Sequence, residues 1–366
     1  MGRGRRGVAF EINRGRMAAP APARPLHNHG GAPVRGIRLK IQVVTMNQKP
    51  FRFAVQGTRA TSGREWYDLA RKAEALGYST LFVADHYLGP GPAARACSMP
   101  PQHLAPVSAM VAAAAVTSTL RVGCRVFCID YHVPAALAKE AATIDLLSEG
   151  RLEMGIGAGV QVNEYKALGI PFLPGKERVD KLEEVIALFR AHWSGEPIDL
   201  SGEHVDVHGY RGLPRPAQKP HIPLMIGGNR KRMLSLAARE ADIVSIGNVP
   251  FDPLNASGLT PRQEAVHRYE VVRAAAGERL DEIEIEGSPY FTILTEDRDS
   301  AYNEIASWIS VDASVLPEHP NVLVGTLDEM EQRLRANREE LGTNYVTVPQ
   351  NAIDTFAPLA ERLRGK

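Results

Sequence analysis

The chain has 366 residues, 44% hydrophobic and 23% charged, the composition of an ordinary globular protein with room for one large core or two smaller ones. A formal net charge of +1 argues against bulk nucleic-acid binding, and the longest apolar-leaning run, 104–116, is too short and too alanine-rich to span a bilayer. Three cysteines (Cys97, Cys124 and Cys128) without metal-ligand spacing argue against a disulfide framework and point to a reducing cytoplasm.

The charge is unevenly spread. Residues 1–49 hold ten Lys/Arg and one acid, Glu11, so a basic head precedes a mildly acidic body. The head is rich in Arg, Gly, Pro and Ala and has too little apolar surface to offset the entropy of ordering. It is expected to be a disordered extension, or to precede a true start at Met17 or Met46. It lacks the apolar segment of a secretory signal.

From Phe51 the pattern alternates strand and helix. Residues 51–56 read as a strand. Residues 63–76 read as a helix with Trp66, Leu69, Ala70, Ala73 and Leu76 on one face, followed by Gly77. Next come a strand at 80–84, an alanine-rich helix at 104–117 and a strand at 120–126. A helix opened by Pro134 (134–147), a strand at 152–156 and a long amphipathic helix at 178–193 follow. The rhythm breaks at 194–223, where repeated Gly and Pro and the alternating stretch GEHVDVHGY read as a small hairpin and a long loop. It resumes with a strand (224–226), a helix (231–240), a strand (243–246), a helix within 261–276 and one strand over 283–294. Helices at 300–309 and 327–341, a strand at 345–348 and a helix at 354–363 complete the chain. Eight buried-type strands separated by helices predict an α/β fold. The form expected is a (β/α)8 TIM barrel over residues 50–366, with the insertion 194–223 after the fourth strand–helix unit. A doubly wound sheet is the runner-up, disfavoured because no GxGxxG follows the first strand.

Function in a barrel sits where the strands end. Strand 2 runs into Asp85-His86, an acid beside an imidazole that titrates near neutrality. A helix-capping Asp and a structural His would look the same. Strand 4 runs into Gly155-Ile156-Gly157-Ala158-Gly159, with Val160 where a dinucleotide fingerprint would need glycine. Strand 5 runs into Gly227-Gly228-Asn229 at a helix start. Alternate glycines clear one face of a strand, and a glycine pair at a helix N-terminus frees N–H groups for a phosphate. Two such loops on one rim favour a large, flat, phosphate-bearing ligand over two tight turns. No metal site is expected: His204 and His208 lie four apart in a strand-like stretch, too far to share an ion easily.

In that order, the segments REWYDLARKAEALGYSTLFVADH, LAPVSAMVAAAAVTSTLRVG, EAATIDLLSEGRLEMGIGAG, NEYKALGIPF, RVDKLEEVIALF and PRPAQKPHIPLMIGG resemble the luciferase-like monooxygenase superfamily, most closely its actinobacterial deazaflavin-dependent oxidoreductases. The resemblance runs from Phe51 to the C-terminus. It implies a barrel, usually a homodimer, with an insertion carrying a lid. The cofactor it implies is the deazaflavin coenzyme F420, FMN being used by other branches. Asp85 matches a cofactor-contacting acid, and His86 an acid/base beside the reacting carbon. Ala158, Gly159 and Asn163 match the strand-4 cofactor loop. Gly227 and Gly228 match the phosphate-side loop. Cys124, Arg125, Val126 and Phe127 match a bulged segment with a cis peptide under the ring. Val160 replaces the glutamate of the related sugar-phosphate dehydrogenases, which argues against sugar-phosphate oxidation. The basic run Asn229-Arg230-Lys231-Arg232 would suit the cofactor's phosphate or acidic tail.

The reading is a coenzyme F420-dependent oxidoreductase in which His86 is the catalytic residue. It would reduce a C=C or C=N acceptor, a secondary metabolite or a dehydro residue of a modified peptide, with neither nucleic acid nor membrane as partner. The alternatives are an FMN-dependent two-component monooxygenase and a non-catalytic cofactor-binding flavoprotein.

Overall fold

The computed structural model describes residues 49–97 and 101–366, so the expected basic extension, up to residue 48, lies outside the described residues. In chain order the elements are β1 (Arg52–Gln56), α1 (Gly63–Ala75), β2 (Thr80–Val83), α2 (Pro92–Cys97), α3 (Pro106–Ala115), β3 (Arg121–Cys128), α4 (Pro134–Leu147), β4 (Leu152–Gly157), α5 (Val162–Leu168), α6 (Gly175–Ser194), β5 (Pro197–Ser201) and β6 (Asp206–Arg211). They continue with β7 (Leu224–Gly228), α7 (Lys231–Glu240), β8 (Ile243–Ile246), α8 (Pro261–Ala276), β9 (Glu284–Gly287), β10 (Phe291–Leu294), α9 (Arg298–Ile309), β11 (Val322–Gly325), α10 (Leu327–Leu341), β12 (Thr343–Pro349) and α11 (Ile353–Leu363).

Eight strands pair in parallel and close into a barrel in the order β1-β12-β9-β8-β7-β4-β3-β2. Period-two alternation sorts their side chains. Phe53 and Val55 of β1 face the helices, in the main core with Val83, Met154, Ile226 and Val348. Ala54 faces the interior with Phe82, Met225, Ile243 and Tyr345. At the N-terminal end of the barrel Arg52 pairs with Glu153 and with Glu284 at 2.7 Å, and lies 3.6 Å over the Tyr345 ring. Local signals start the helices: Ser62 caps α1, Thr260 and Thr326 make capping boxes with Gln263 and Glu329, and prolines open α3 and α4.

Two expectations are corrected. The strand read over 283–294 is two strands. The ladder of β9 stops at Gly287, Pro289 has no N–H to continue it, and β10 leaves the barrel to pair with β11 in a separate two-stranded sheet. The second correction concerns the lid. The excursion at 194–223 does carry the expected hairpin, β5 with β6. It joins the C-terminal end of α6 to the N-terminal end of β7, on the rim opposite the strand ends. It is fastened to α6 by Glu184, whose carboxylate accepts from the backbone N–H groups of Glu203, His204 and Val205 at 3.1, 2.8 and 2.7 Å. It therefore cannot cover the active face. The large excursion on that face is 288–326, between β9 and α10. Its core of Ile305, Leu316, Val322 and Val324 is separate from the main one. His319 anchors it, stacked 3.8 Å from Phe251 and hydrogen-bonded to the Pro250 carbonyl at 3.2 Å.

Among the described residues no helix is long and apolar enough to cross a membrane, and all three cysteines are buried.

Candidate active site

The C-terminal rim gathers residues from four loops. At the end of β2, Asp85 and His86 point apart, as neighbours in an extended chain do. Each meets a partner of the opposite kind. Asp85 is buried, and its Oδ2 accepts from the Cys128 N–H and lies 2.9 Å from His132 Nε2. This fastens the end of β3 to the end of β2. His86 remains partly exposed, and its Nδ1 lies 2.7 Å from Glu164 Oε2. The other Glu164 oxygen accepts from the Tyr87 N–H at 2.8 Å. Burial pushes the Glu164 carboxyl up, but the hydrogen bonds from His86, the Tyr87 N–H and Tyr131 outweigh it, so the group is held below its ordinary value. An ionised Glu164 accepts a proton at His86 Nδ1. That leaves Nε2 as the nitrogen free to exchange a proton with a substrate.

The middle of β3 is bulged. Its register with β4 shifts between Cys124 and Phe127, and the Arg125–Val126 peptide is cis. Cys124 and Phe127 face the main core, and burial pushes the Cys124 thiol well up. The segment therefore reaches the barrel interior through Arg125 and Val126. Arg125 Nε lies 3.1 Å from Glu286 Oε1, and Glu286 accepts from the Ser245 hydroxyl at 2.6 Å.

The bulge changes the meaning of two glycines. A Cβ on Gly155 would stand 2.1 Å from the Cys124 carbonyl oxygen, and one on Gly157 would stand 2.9 Å from a Val126 methyl. The space cleared at Gly155 and Gly157 is taken up by β3, not left bare for a ligand. Gly227 differs, because a Cβ there would meet only the Val126 methyls at 3.5 and 3.7 Å, ordinary contact distances. The smooth floor of the mouth is thus Val126 with Gly227 beside it. Gly228 packs on Met233.

Beyond β7, Arg230 stands at the N-cap of α7 without making a side-chain cap, and the first turn holds no acid. Its N–H groups and dipole are open to an anion. The basic run is smaller than the sequence implied: Arg232 is taken by Asp180, with Glu183 3.4 Å away. Asn229 is partly buried, and Arg230 and Lys231 stay exposed at the helix start. On the β4 loop, Arg178 binds the carbonyls of Ala158, at 2.7 Å, and Gly159. Asn163 donates to the Ala96 carbonyl at 3.1 Å, and Val160 is two-thirds exposed. The parts played by Glu164, His132, Tyr131 and Arg178 come from contacts between loops, which leave no local pattern in the sequence.

This arrangement, an imidazole held by a buried carboxylate beside a smooth floor and an uncapped helix, fits a planar cofactor carrying a phosphate. A family model described as luciferase-like monooxygenase matches residues 48–358. The chain belongs to that family. It is 30% identical over 301 residues to the F420-dependent glucose-6-phosphate dehydrogenase of Nakamurella multipartita, covering 79% of this chain and 80% of that protein. It is 35% identical over 184 residues to an uncharacterized protein of Mycobacterium tuberculosis, a match spanning 47% of this chain and 64% of that one. Among solved structures, an F420-dependent secondary alcohol dehydrogenase in complex with an F420-acetone adduct superimposes with a TM-score of 0.69 at 18% identity. The superposition covers 86% of this chain and 99% of that one. The luciferase-like family is one of oxidoreductases with F420-dependent members.

Proposed function

We propose that this protein is a coenzyme F420-dependent oxidoreductase that delivers a hydride to an unsaturated C=C or C=N acceptor. The observation that carries the reading is the His86–Glu164 pair at 2.7 Å, with His86 partly exposed, on the rim that also bears the Gly227 floor and the uncapped start of α7. The preference for F420 over FMN draws on the similarity to the Nakamurella dehydrogenase over four-fifths of both chains.

Val126 and Gly227 would lie against the ring, and the first turn of α7 with Arg230 and Lys231 would take the phosphate. Once bound, a 5-deazaflavin would supply an obligate hydride centre, because carbon replaces the ring nitrogen that gives flavins their oxygen chemistry. The protein's tasks are positioning and proton supply. Glu164 holds Nδ1–H so that Nε2 faces outward; as the imidazolium, His86 gives its Nε2 proton to the acceptor that has taken the hydride and is left as the neutral Nδ1–H form. Asp85 fixes the β3 end through Cys128 and His132. Val160 puts an apolar group where the sugar-phosphate dehydrogenases carry a glutamate, so glucose 6-phosphate is not the substrate of this reading.

The test is anaerobic oxidation of reduced deazaflavin with a panel of C=C and C=N acceptors, set against reduction of the oxidised cofactor by glucose 6-phosphate. Turnover in the first assay and none in the second is expected. The reverse pattern would refute the acceptor class.

A further inference from the structure

The rim beside His86 carries a row of aromatic rings, of which only the Tyr131 hydroxyl, through Glu164, takes part in the proton chemistry. Tyr87 packs edge-on against Tyr131 at 5.8 Å, Tyr131 against Tyr165 at 5.1 Å, and Tyr165 against Phe172 at 4.8 Å. The Arg178 guanidinium closes the row 4.1 Å from the Phe172 ring. The residues come from the loops after β2, β3 and β4. Tyr165 is fully buried and ties the row down, its hydroxyl donating to Asp130 at 2.7 Å. The two ends are open: Tyr87 is 41% and Phe172 38% exposed, and Val160 and Val133 add exposed apolar surface on the same loops. Tyr87 follows His86 directly, and its N–H shares the Glu164 carboxylate with the imidazole. The acids bordering the row are already matched: Asp130 binds Lys181 at 2.7 Å and Asp85 binds His132. Arg178, hydrogen-bonded to the Ala158 and Gly159 carbonyls, keeps its charge but sits at the far end, over Phe172. An anionic substrate group laid on the Tyr87 end would be desolvated without a partner there, whereas a flat apolar ring would gain contact and edge or face complementarity.

We infer that the acceptor is a neutral molecule bearing an aromatic ring next to its reducible bond, with the ring packed on Tyr87 and the bond at His86. The inference rests on the hydride-transfer reading for the second half of that statement only. The first half concerns binding and can be tested apart from turnover.

Three probes separate the possibilities: benzylideneacetone, its cyclohexyl analogue, and a ring-carboxylated benzylideneacetone. Affinities are read by ligand-detected NMR, on the protein alone and loaded with deazaflavin or with FMN. Benzylideneacetone should bind about 10-fold more tightly than either analogue. Tyr87→Leu should erase that preference, and Tyr87→Phe, which keeps the ring, should preserve it. Tyr87 is less than half exposed and its ring packs on Tyr131 and His132, so the melting temperature of each variant is measured alongside to confirm that it is folded. Equal affinity for the phenyl and cyclohexyl probes, tighter binding of the carboxylated probe, or a Tyr87→Leu variant that keeps the preference would each overturn the inference. A protein that shows the aryl preference but binds neither cofactor would instead refute the hydride-transfer reading and leave the aromatic subsite standing.

Discussion

Glu164 Oε2 and His86 Nδ1 stand 2.7 Å apart although 78 residues separate them in the chain. The contact joins the loop after β2 to the first turn of α5, and it decides which imidazole nitrogen is free. His86→Ala should therefore lower turnover by about 10²–10⁴-fold, the usual worth of a general acid, with little change in cofactor affinity. Glu164→Gln should lower turnover less, with KM nearly unchanged. In ¹⁵N spectra the His86 imidazole should lose its fixed Nδ1–H tautomer. Normal turnover in His86→Ala would make that residue structural.

The acid stability of the protein should fall in two windows. His319 is buried, and burial pulls its imidazole down to about 4 despite hydrogen bonds to the Pro250 and Val249 backbone. Between pH 6.5 and about 4 the unfolded chain binds a proton there that the native protein does not, so stability falls as the pH is lowered through that range. Glu164, held below its ordinary 4.5, contributes stability above that pH and loses it as the pH drops through its lowered native value. Melting temperature against pH should show a shallower fall between 6.5 and 4 in His319→Gln. Glu164→Gln should be shallower only below about 4.5. At pH 7 His319→Gln should also cost about 1–3 kcal/mol, because it disturbs bonds to the Pro250 carbonyl and the Asn321 N–H.

Gly155 and Gly227 make a matched pair of substitutions. A methyl group at Gly155 would meet a backbone carbonyl at 2.1 Å, so Gly155→Ala should destabilise by about 3 kcal/mol, the upper end for overpacking. Gly227→Ala meets only side-chain methyls at ordinary distance and should keep the wild-type melting temperature. It should nevertheless weaken cofactor binding, since the methyl occupies the floor of the mouth. Unfolding curves and cofactor titrations of the two variants check both halves.

Asp85 joins β2 to β3 through the Cys128 N–H and His132. Asp85→Ala should lose cofactor affinity together with about 1–3 kcal/mol of stability, because it leaves a buried N–H and an imidazole without their acceptor. A variant that binds cofactor normally would limit Asp85 to a local role.

Much of the fold was legible because its signals are local. The eight barrel strands follow from runs of buried-type residues between helices, and the bounds of α7 and β8 agree residue for residue. The strand over 283–294 was misread because the apolar pattern continues past Pro289, while the backbone cannot stay in the ladder there. β11 and the short α2 and α5 lie outside the strand–helix alternation that marks the equally short barrel strands, and four to seven residues by themselves carry too little periodicity. At the site, Asp85-His86 and the glycines were legible as a rim. Their roles were less so. Glu164 and His132 act through hydrogen bonds with distant residues, and the vacant face of Gly155 is filled by a bulge that only the closed barrel produces.

The measurement closest to the central claim is an equilibrium titration of the protein with coenzyme F420 and with FMN, followed by fluorescence at moderate salt. F420 should bind more tightly than FMN, and added salt should weaken it, because Arg230 and Lys231 at the start of α7 would hold its phosphate or acidic tail. FMN binding as tight as or tighter than F420 would contradict the account.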